Sequence, residues 1–505
     1  MFRISVCQLV FSAVLPVLAH AQQSVQTPGD SSPRLVLHST TRAVVLDIVV
    51  TDQTGKPVGN LSKSDFTILE DGVAQEIASF ETPGVHLHPL SYVEQSQTVL
   101  VLDEMNTRFE DLAFARYAVA KLLERNSGKL EMPTALMALT NSGLVQLHDY
   151  TTAGSELLQA LERHRAELPW RLRTGMEGAK ERLATSIGAI QEIAYSRADY
   201  KARKNVVWVS PGFPIITTSE LLTEDRSVLF EAIRMLSDEL LRTRITIYTV
   251  DPRGVTVGRL LAAADQPSYL HSTNPAAGTT VADLALERLA LETGGEALYG
   301  RNNLDQEIED TIVNGAMYFT LSYYPSNRNW DGTFRKVRVN VDKPGLHATT
   351  RDGYFALAAL PPAADKEAAL QLTSAVSSRL SFGAIPVKVS PAELVQNVST
   401  EKLTVDVDGQ ALSWTPSDKG DYHCKVQVVL ANLSNKGERL DYRVQSVGGV
   451  IPGDKFARSK SRSWVIPVEV PVKPEAARIR VVVRDDLSGK LGTADISWPA
   501  STQSH

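Results

Sequence analysis

Cysteine is nearly absent from this chain. Its 505 residues include two, Cys7 and Cys424. Cys7 falls in an N-terminal apolar run that is expected to be removed, so Cys424 alone remains and no intrachain disulfide can form. An excess of basic charge is lacking as well. Lys and Arg total 52 against 58 Asp and Glu, giving a formal net charge of −6 and a sequence pI near 6.0. A nucleic-acid binder wants a strongly basic domain, so no nucleic-acid partner is expected. Beyond the N-terminus nothing argues for a lipid anchor or for a membrane helix, which needs about 20 apolar residues; no mature membrane span is expected. Also missing are H-E-x-x-H, G-x-S-x-G and a Walker loop. His148, His164, His271, His347 and His423 are scattered without metal-ligand spacing and read as surface or internally satisfied side chains. Without a recognisable catalytic set, the sequence does not read as an enzyme.

What is present is an ordinary globular composition, 43% apolar and 22% charged, over a length that suggests two to four domains. The opening MFRISVCQLVFSAVLPVLAHAQQ has the parts of a Sec-type signal peptide: Arg3 as the positive end, an apolar core over 6–18, and Ala19-His20-Ala21 as the cleavage site. Residues 1–21 are read as that signal, which exports the protein to the periplasm or the cell exterior. Residues 22–34, rich in Gln, Ser, Pro and Gly, form a flexible lead-in. A small antiparallel β unit is expected over 35–92, with a strand at 43–52, a Gly55-Lys56-Pro57 turn, and a hairpin turn at Asp71-Gly72 whose returning strand is 73–80. At about 50 residues such a unit is marginal by itself and should lean on a neighbour.

From residue 98 onward, short apolar runs alternate with segments of helical periodicity. Strands are predicted at 98–102, 134–141, 143–150, 205–209, 244–250 and 296–299, and helices at 112–123, 155–164, 178–200, 220–241, 282–293 and 303–314. Strands separated by helices of this length imply right-handed crossovers and a doubly wound, mostly parallel α/β sheet over 93–355. Two further strands, 317–324 and 334–341, read as an antiparallel extension joined by the turn Asn329-Trp330-Asp331-Gly332. After an Ala- and Pro-rich linker, 356–364, residues 365–505 change texture. A helix over 365–379 precedes period-2 strands at 384–389, 403–407, 421–430, 464–470 and 477–484, a C-terminal β-sandwich-like domain. Cys424 lies in one of these strands and reads as a small buried hydrophobe. Asn397-Val398-Ser399 and Asn432-Leu433-Ser434 match the glycosylation pattern.

The stretch QTVLVLDEMNT, 97–107, organises the chain. Its apolar half suits a strand buried on both faces, and Asp103 stands where that strand ends, at the sheet edge where ligands collect. Asn106 and Thr107 lead into the following helix. An oxygen-rich turn in that place is suited to a hard cation. Asp103, Glu104, Met105, Asn106 and Thr107 resemble the Asp-x-Ser-x-Ser motif of the von Willebrand factor A (VWA) family, with the Asp and the last hydroxyl matching and Met105 replacing the first. More closely, residues 41–355 resemble bacterial VWA-related proteins that carry a signal peptide and a strand-rich leader, the latter on the pattern D-x-x-G-x-P-V … L-x-x-x-D-F-x-x-x-E-D-G.

The resemblance implies a metal-ion-dependent adhesion site holding Mg²⁺ or Mn²⁺ on Asp103, Thr107, a Thr of a second loop and an acidic residue of a third. Thr174 and Thr185 are available for the second loop, and Thr185 is preferred because Ala184-Thr185-Ser186 opens the better helical repeat. The third loop reads Ser210-Pro211-Gly212-Phe213-Pro214, so Ser210 stands where the family places Asp. A thioether and a missing carboxylate both weaken a site for a hard dication, which favours Asp103 as a structural loop or helix-start residue over an intact cation ligand. Two functions follow. One is an exported binding module that offers the carboxyl edge of its sheet to a protein partner, with cation assistance implied by the resemblance. The other is an extracytoplasmic hydrolase using Asp103, Glu104 and Asp251 at that edge, although Asp251-Pro252-Arg253-Gly254 reads more simply as a turn. The unpatterned loop 258–280 is expected to be mobile and near the same edge.

Overall fold

A computed structural model describes residues 43–84, 95–166, 175–196, 200–212, 234–253, 286–298, 303–357, 365–378, 380–391, 400–417, 420–435 and 437–498. The expected signal peptide and lead-in, the linker from residue 358, the loop 258–280, the 220–233 part of a predicted helix, Thr174, His271 and Asn397-Val398-Ser399 lie outside the described residues. The protein is a mixed α/β chain with one mixed parallel and antiparallel sheet and several antiparallel sheets.

Alternating Val and Ile residues give β1 (Val44–Thr51), followed by β2 (Phe66–Glu70), β3 (Val73–Gln75) and β4 (Ile77–Glu81). Asp71 and Gly72 take φ of 49° and 84°, as a two-residue hairpin turn requires, and Glu70 faces Val73 across it. The α/β block then runs β5 (Gln97–Asp103), α1 (Phe109–Glu124), β6 (Lys129–Thr140), β7 (Gly143–Ala153), α2 (Gly154–Arg163), α3 (Gly175–Ser196), β8 (Lys204–Val209), a helical stretch over 234–242, β9 (Ile245–Val250), α4 (Leu286–Glu292), β10 (Ala297–Leu298) and α5 (Leu304–Ala316). Its sheet has the order β10-β9-β8-β5-β6-β7. Neighbours are parallel except β7, which is antiparallel to β6.

Every residue of β5 is buried, which explains its unbroken apolar run: helices cover both faces of the sheet. Val99, Val101, Val206 and Trp208 pack with α3, α4 and the 234–242 helix on one face. Leu100, Leu102, Val207 and Val209 pack with α1, α2 and α5 on the other. Side-chain alternation along β5 therefore sends Asp103 toward the first layer and Glu104 toward the second.

The remaining strands differ from the sequence expectation. β11 (Phe319–Tyr323), β12 (Phe334–Val341), β13 (His347–Thr349) and β14 (Gly353–Phe355) do not extend the α/β sheet. They pair with the N-terminal strands in two four-stranded sheets, β13-β1-β11-β4 and β14-β12-β2-β3, around one core that includes Leu46, Ile48, Phe66, Ile68, Phe319, Leu321, Val337 and Val339. The Asn329–Gly332 segment consequently carries the chain from one sheet to the other instead of closing a hairpin. Apolar alternation fixes which face of a strand is buried, and leaves open which strand lies beside it. A buried network ties the two sheets: Glu70 accepts from Tyr323 at 2.7 Å, Tyr354 at 2.8 Å and Arg335 at 3.1 Å.

The two-sheet unit meets the amino ends of β8 and β9. Arg244, just before β9, donates to both oxygens of Asp47 on β1 and to Thr320 of β11, while Arg203 lies 5.1 Å from the Tyr318 ring centre. That leaves the carboxyl ends of the central strands on the opposite edge.

At the C-terminus, α6 (Asp365–Ser377) is followed by β15 (Val387–Pro391), β16 (Thr400–Asp408), β17 (Thr415–Pro416), β18 (Tyr422–Leu433), β19 (Arg439–Ile451), β20 (Ser463–Pro471), β21 (Arg478–Asp485) and β22 (Leu491–Ser497). The sheet β15-β16-β20 and the sheet built on β18 and β21 face each other across a Val-rich core, and α6 covers the outer face of the second. β19 and β22 have no counterpart among the sequence-predicted strands, because most of their residues alternate poorly. Cys424 is buried in this core. No helix among the described residues is long and apolar enough to cross a membrane, a fact that does not bear on strands.

Candidate functional site

Asp103 closes β5 with its side chain in the core, 0% exposed. Its Oδ1 accepts the Asn106 backbone N–H at 2.9 Å. Its Oδ2 accepts three donors: the Asn106 amide at 2.9 Å, the Trp208 indole N–H at 3.1 Å and the Ser210 hydroxyl at 2.8 Å. Burial pushes the Asp103 carboxyl above its ordinary pKa, and hydrogen bonds from Asn106, Ser210 and Trp208 pull it partly back. The parallel register sets this up. Leu102 lies opposite Val209, so the last residue of β5 reaches across to the residues that end β8, and Trp208, facing the same layer as Asp103, fills the space beneath.

The other loop residues divide by direction. Met105 is buried in the core shared with α3, which accounts for a thioether where the resemblance implies a hydroxyl. Asn106 bridges: its amide reaches Asp103 and also the hydroxyl of Ser186 on α3 at 3.1 Å, while Ser186 gives its own proton to the Arg182 carbonyl. The Thr107 hydroxyl and the Asn106 side-chain oxygen Oδ1 are buried with no hydrogen-bond partner among the described residues. Glu104 points to the opposite layer, where it lies 2.9 Å from His164 Nε2 and 3.6 Å from Arg116. Arg116 also donates to the Leu161 and His164 carbonyls, so this group fastens α1 to the end of α2.

Of the expected cation ligands, then, Asp103 and Ser210 are brought together, and Thr107 is buried in the same loop. Thr185 is not at the site. Its hydroxyl bonds back to the Glu181 carbonyl of its own helix, and Ser186, one residue on, holds the inward position, since one step along a helix turns the side chain by about a quarter turn. Asp251 is folded onto Arg253, which donates to both of its oxygens and to the Pro211 carbonyl; the turn reading describes it. Trp208 and Ser186 are not singled out from sequence, and Asn106 enters there only as part of the oxygen-rich turn. An indole N–H two residues before a loop carries no motif, and Asn106 occupies a position the adhesion motif leaves unspecified.

A divalent cation such as Mg²⁺ needs oxygen lone pairs at roughly 2.0–2.1 Å in near-octahedral array. Here one oxygen of the lone carboxylate, Oδ2, already accepts three N–H and O–H donors. Ser210 Oγ, besides donating to Asp103, accepts from the Gly212 N–H. Asp103 Oδ1, which accepts a single N–H, and Ser210 Oγ each keep a lone pair, and the unbonded oxygens of Thr107 and the Asn106 side chain add two neutral donors. With one carboxylate and a thioether in place of a hydroxyl, this donor set fits Mg²⁺ or Mn²⁺ poorly. The Asn106 amide joins the β5 carboxylate to the Ser186 hydroxyl of α3.

No protein-family model matches the sequence, and no curated protein matches it. Among solved structures, the chain is similar to an aerotolerance-related membrane protein from Bacteroides fragilis NCTC 9343 carrying multiple mutations to serine, with 14% identity and a TM-score of 0.25 over 43% of this chain and 98% of that one. It is also similar to the SpRpn10 VWA domain, with 15% identity and a TM-score of 0.18 over 31% of this chain and 74% of that one.

Proposed function

We propose that this chain is an exported protein-binding module whose doubly wound, VWA-type α/β unit offers the carboxyl edge of its sheet to a protein partner, in the manner of an adhesion module and without a bound cation. The observation that carries this reading is the closed donor set on Asp103. The carboxylate is spent inside the protein, holding the loop after β5 against β8 and α3. A loop fixed in this way presents the start of α1, which opens with Phe109 at 66% exposure and continues on the same face through Ala113 to Tyr117 at 65%, with Phe114 beside them. Exposed aromatic side chains on a preorganised element are the kind that anchor protein interfaces.

The hydrolase reading has less behind it. Asp103, Glu104 and Asp251 are each engaged by partners of their own, and the Ser210 hydroxyl donates to Asp103 from within the core, away from any substrate.

The test is capture from a surface or periplasmic extract by the immobilised chain and by its Phe109→Ala variant, in Mg²⁺ and in EDTA. The reading expects a specific protein to be retained equally in both buffers and lost with Phe109→Ala, at an unchanged melting temperature. Retention that needs Mg²⁺ and is indifferent to Phe109 contradicts it.

A further inference from the structure

β19 is the longest strand of the C-terminal unit, and among the described residues it pairs with β18 alone. Its other edge is not blunted by proline. β20, the edge strand of the facing sheet, carries Pro467 and Pro471, which remove ladder donors; β19 has no proline and presents Leu440, Tyr442 and Val444 at 38%, 50% and 53% exposure.

The direction of the backbone follows from one hydrogen bond. The Tyr442 N–H is not given to β18; it is met by the side chain of Asp441 at 2.8 Å. Tyr442 therefore turns its N–H to the open edge, and in an antiparallel ladder alternate residues do the same. A two-fold axis through Tyr442 then makes Tyr442 and the Tyr442 of a second copy a hydrogen-bonded pair. The flanking pairs are the close, non-hydrogen-bonded kind, and they place Asp441 opposite Arg443 and Arg443 opposite Asp441. Beyond them Val444 faces Leu440, the extra residue of the bulge where the β18 register shifts. Tyr442 and Val444 fall on one face of the new ladder and the opposite charges on the other. Moving the axis to Val444 sets Arg443 against Gln445 and Asp441 against Val447; moving it to Leu440 pairs Arg439 with Asp441 and leaves an overlap of Arg439–Asp441 alone.

We infer that β19 is a homodimerisation edge, paired antiparallel with β19 of a second copy about an axis at Tyr442. Within its own copy Asp441 accepts the Tyr442 N–H and lies 3.6 Å from Lys473, and Arg439 lies over the Tyr442 ring at 4.8 Å; these are exposed contacts of small worth that yield to the partner strand, the Tyr442 N–H passing from the Asp441 side chain to the partner's backbone.

Sedimentation equilibrium on the full chain tests this with charge exchange. Arg443→Asp sets Asp against Asp at both symmetric positions, and Asp441→Arg sets Arg against Arg. Like charges directly opposite are unfavourable where opposite charges were favourable, so each single variant is expected to dimerise about tenfold to a hundredfold more weakly with an unchanged melting temperature. An equimolar mixture of the two single variants, and the Asp441→Arg/Arg443→Asp double variant, are expected to recover association. A wild-type chain that stays monomeric at about 100 μM, single variants that dimerise like the wild type, or a mixture that fails to recover would overturn the inference.

Discussion

Asp103→Ala removes the acceptor of four hydrogen bonds in one step. Two of the donors, the Trp208 indole and the Ser210 hydroxyl, are sealed in the core, and each buried donor left unmet costs about 1–3 kcal/mol. The Ser210 hydroxyl can rotate toward another acceptor, and the carboxylate takes its own burial penalty with it, so the net loss is expected near 3 kcal/mol. For domains of about 150–250 residues, 1 kcal/mol moves Tm by about 2–4 °C, which puts the α/β transition roughly 6–12 °C lower. Differential scanning calorimetry in EDTA and in millimolar Mg²⁺ separates two origins for that loss. If the donors hold the site together, the penalty is the same in both buffers and wild-type Tm does not respond to Mg²⁺. A wild-type protein that melts with Asp103→Ala in EDTA, and separates from it once Mg²⁺ is added, would refute the reasoning.

Three further outcomes follow from other parts of the fold. Asp47 is buried, which raises its pKa, but the charge and hydrogen bonds of Arg244 outweigh this and hold it below its ordinary value of 3.8. Its contribution to stability is therefore complete above pH 3.8 and lost as pH falls through the lower folded value; Asp47→Asn should lower stability at neutral pH by about 1–3 kcal/mol and flatten the acid limb of a stability-against-pH curve. A fragment of residues 35–92 should give a disordered circular dichroism spectrum, because β1, β2 and β4 find partners in β11, β12 and β13, and adding a 317–357 peptide should bring back strand signal. Burial pushes the Cys424 thiol up to about 11, so a disulfide reagent at pH 8 should label it only after denaturant unfolds the C-terminal unit.

Much of this protein is written locally. The unbroken run before Asp103 marks a strand covered on both sides, and the Asp71-Gly72 pair marks a hairpin that forms as expected. What is not local is less legible. The strands around residues 320 and 337 have the right alternation, yet they belong beside strands about 240–280 residues earlier, as the Tyr323–Glu70 bond also shows; no period in the sequence encodes that distance. β19 escapes notice for the opposite reason. Its residues are exposed on both faces along much of its length, so the alternation that reveals a half-buried strand is absent. At the site, Asp103 and Ser210 are legible as the ends of parallel strands. The choice between Thr185 and its neighbour Ser186 turns on the rotation of one helix about its axis, and the part played by Trp208 turns on register, which is set by the assembled sheet.

The most direct test of the account is isothermal titration of EDTA-treated wild-type protein and Asp103→Asn with Mg²⁺ and Mn²⁺. The donor-filled carboxylate predicts no binding heat for either metal and no difference between the two proteins. Binding in the micromolar to sub-millimolar range that disappears in Asp103→Asn would contradict it.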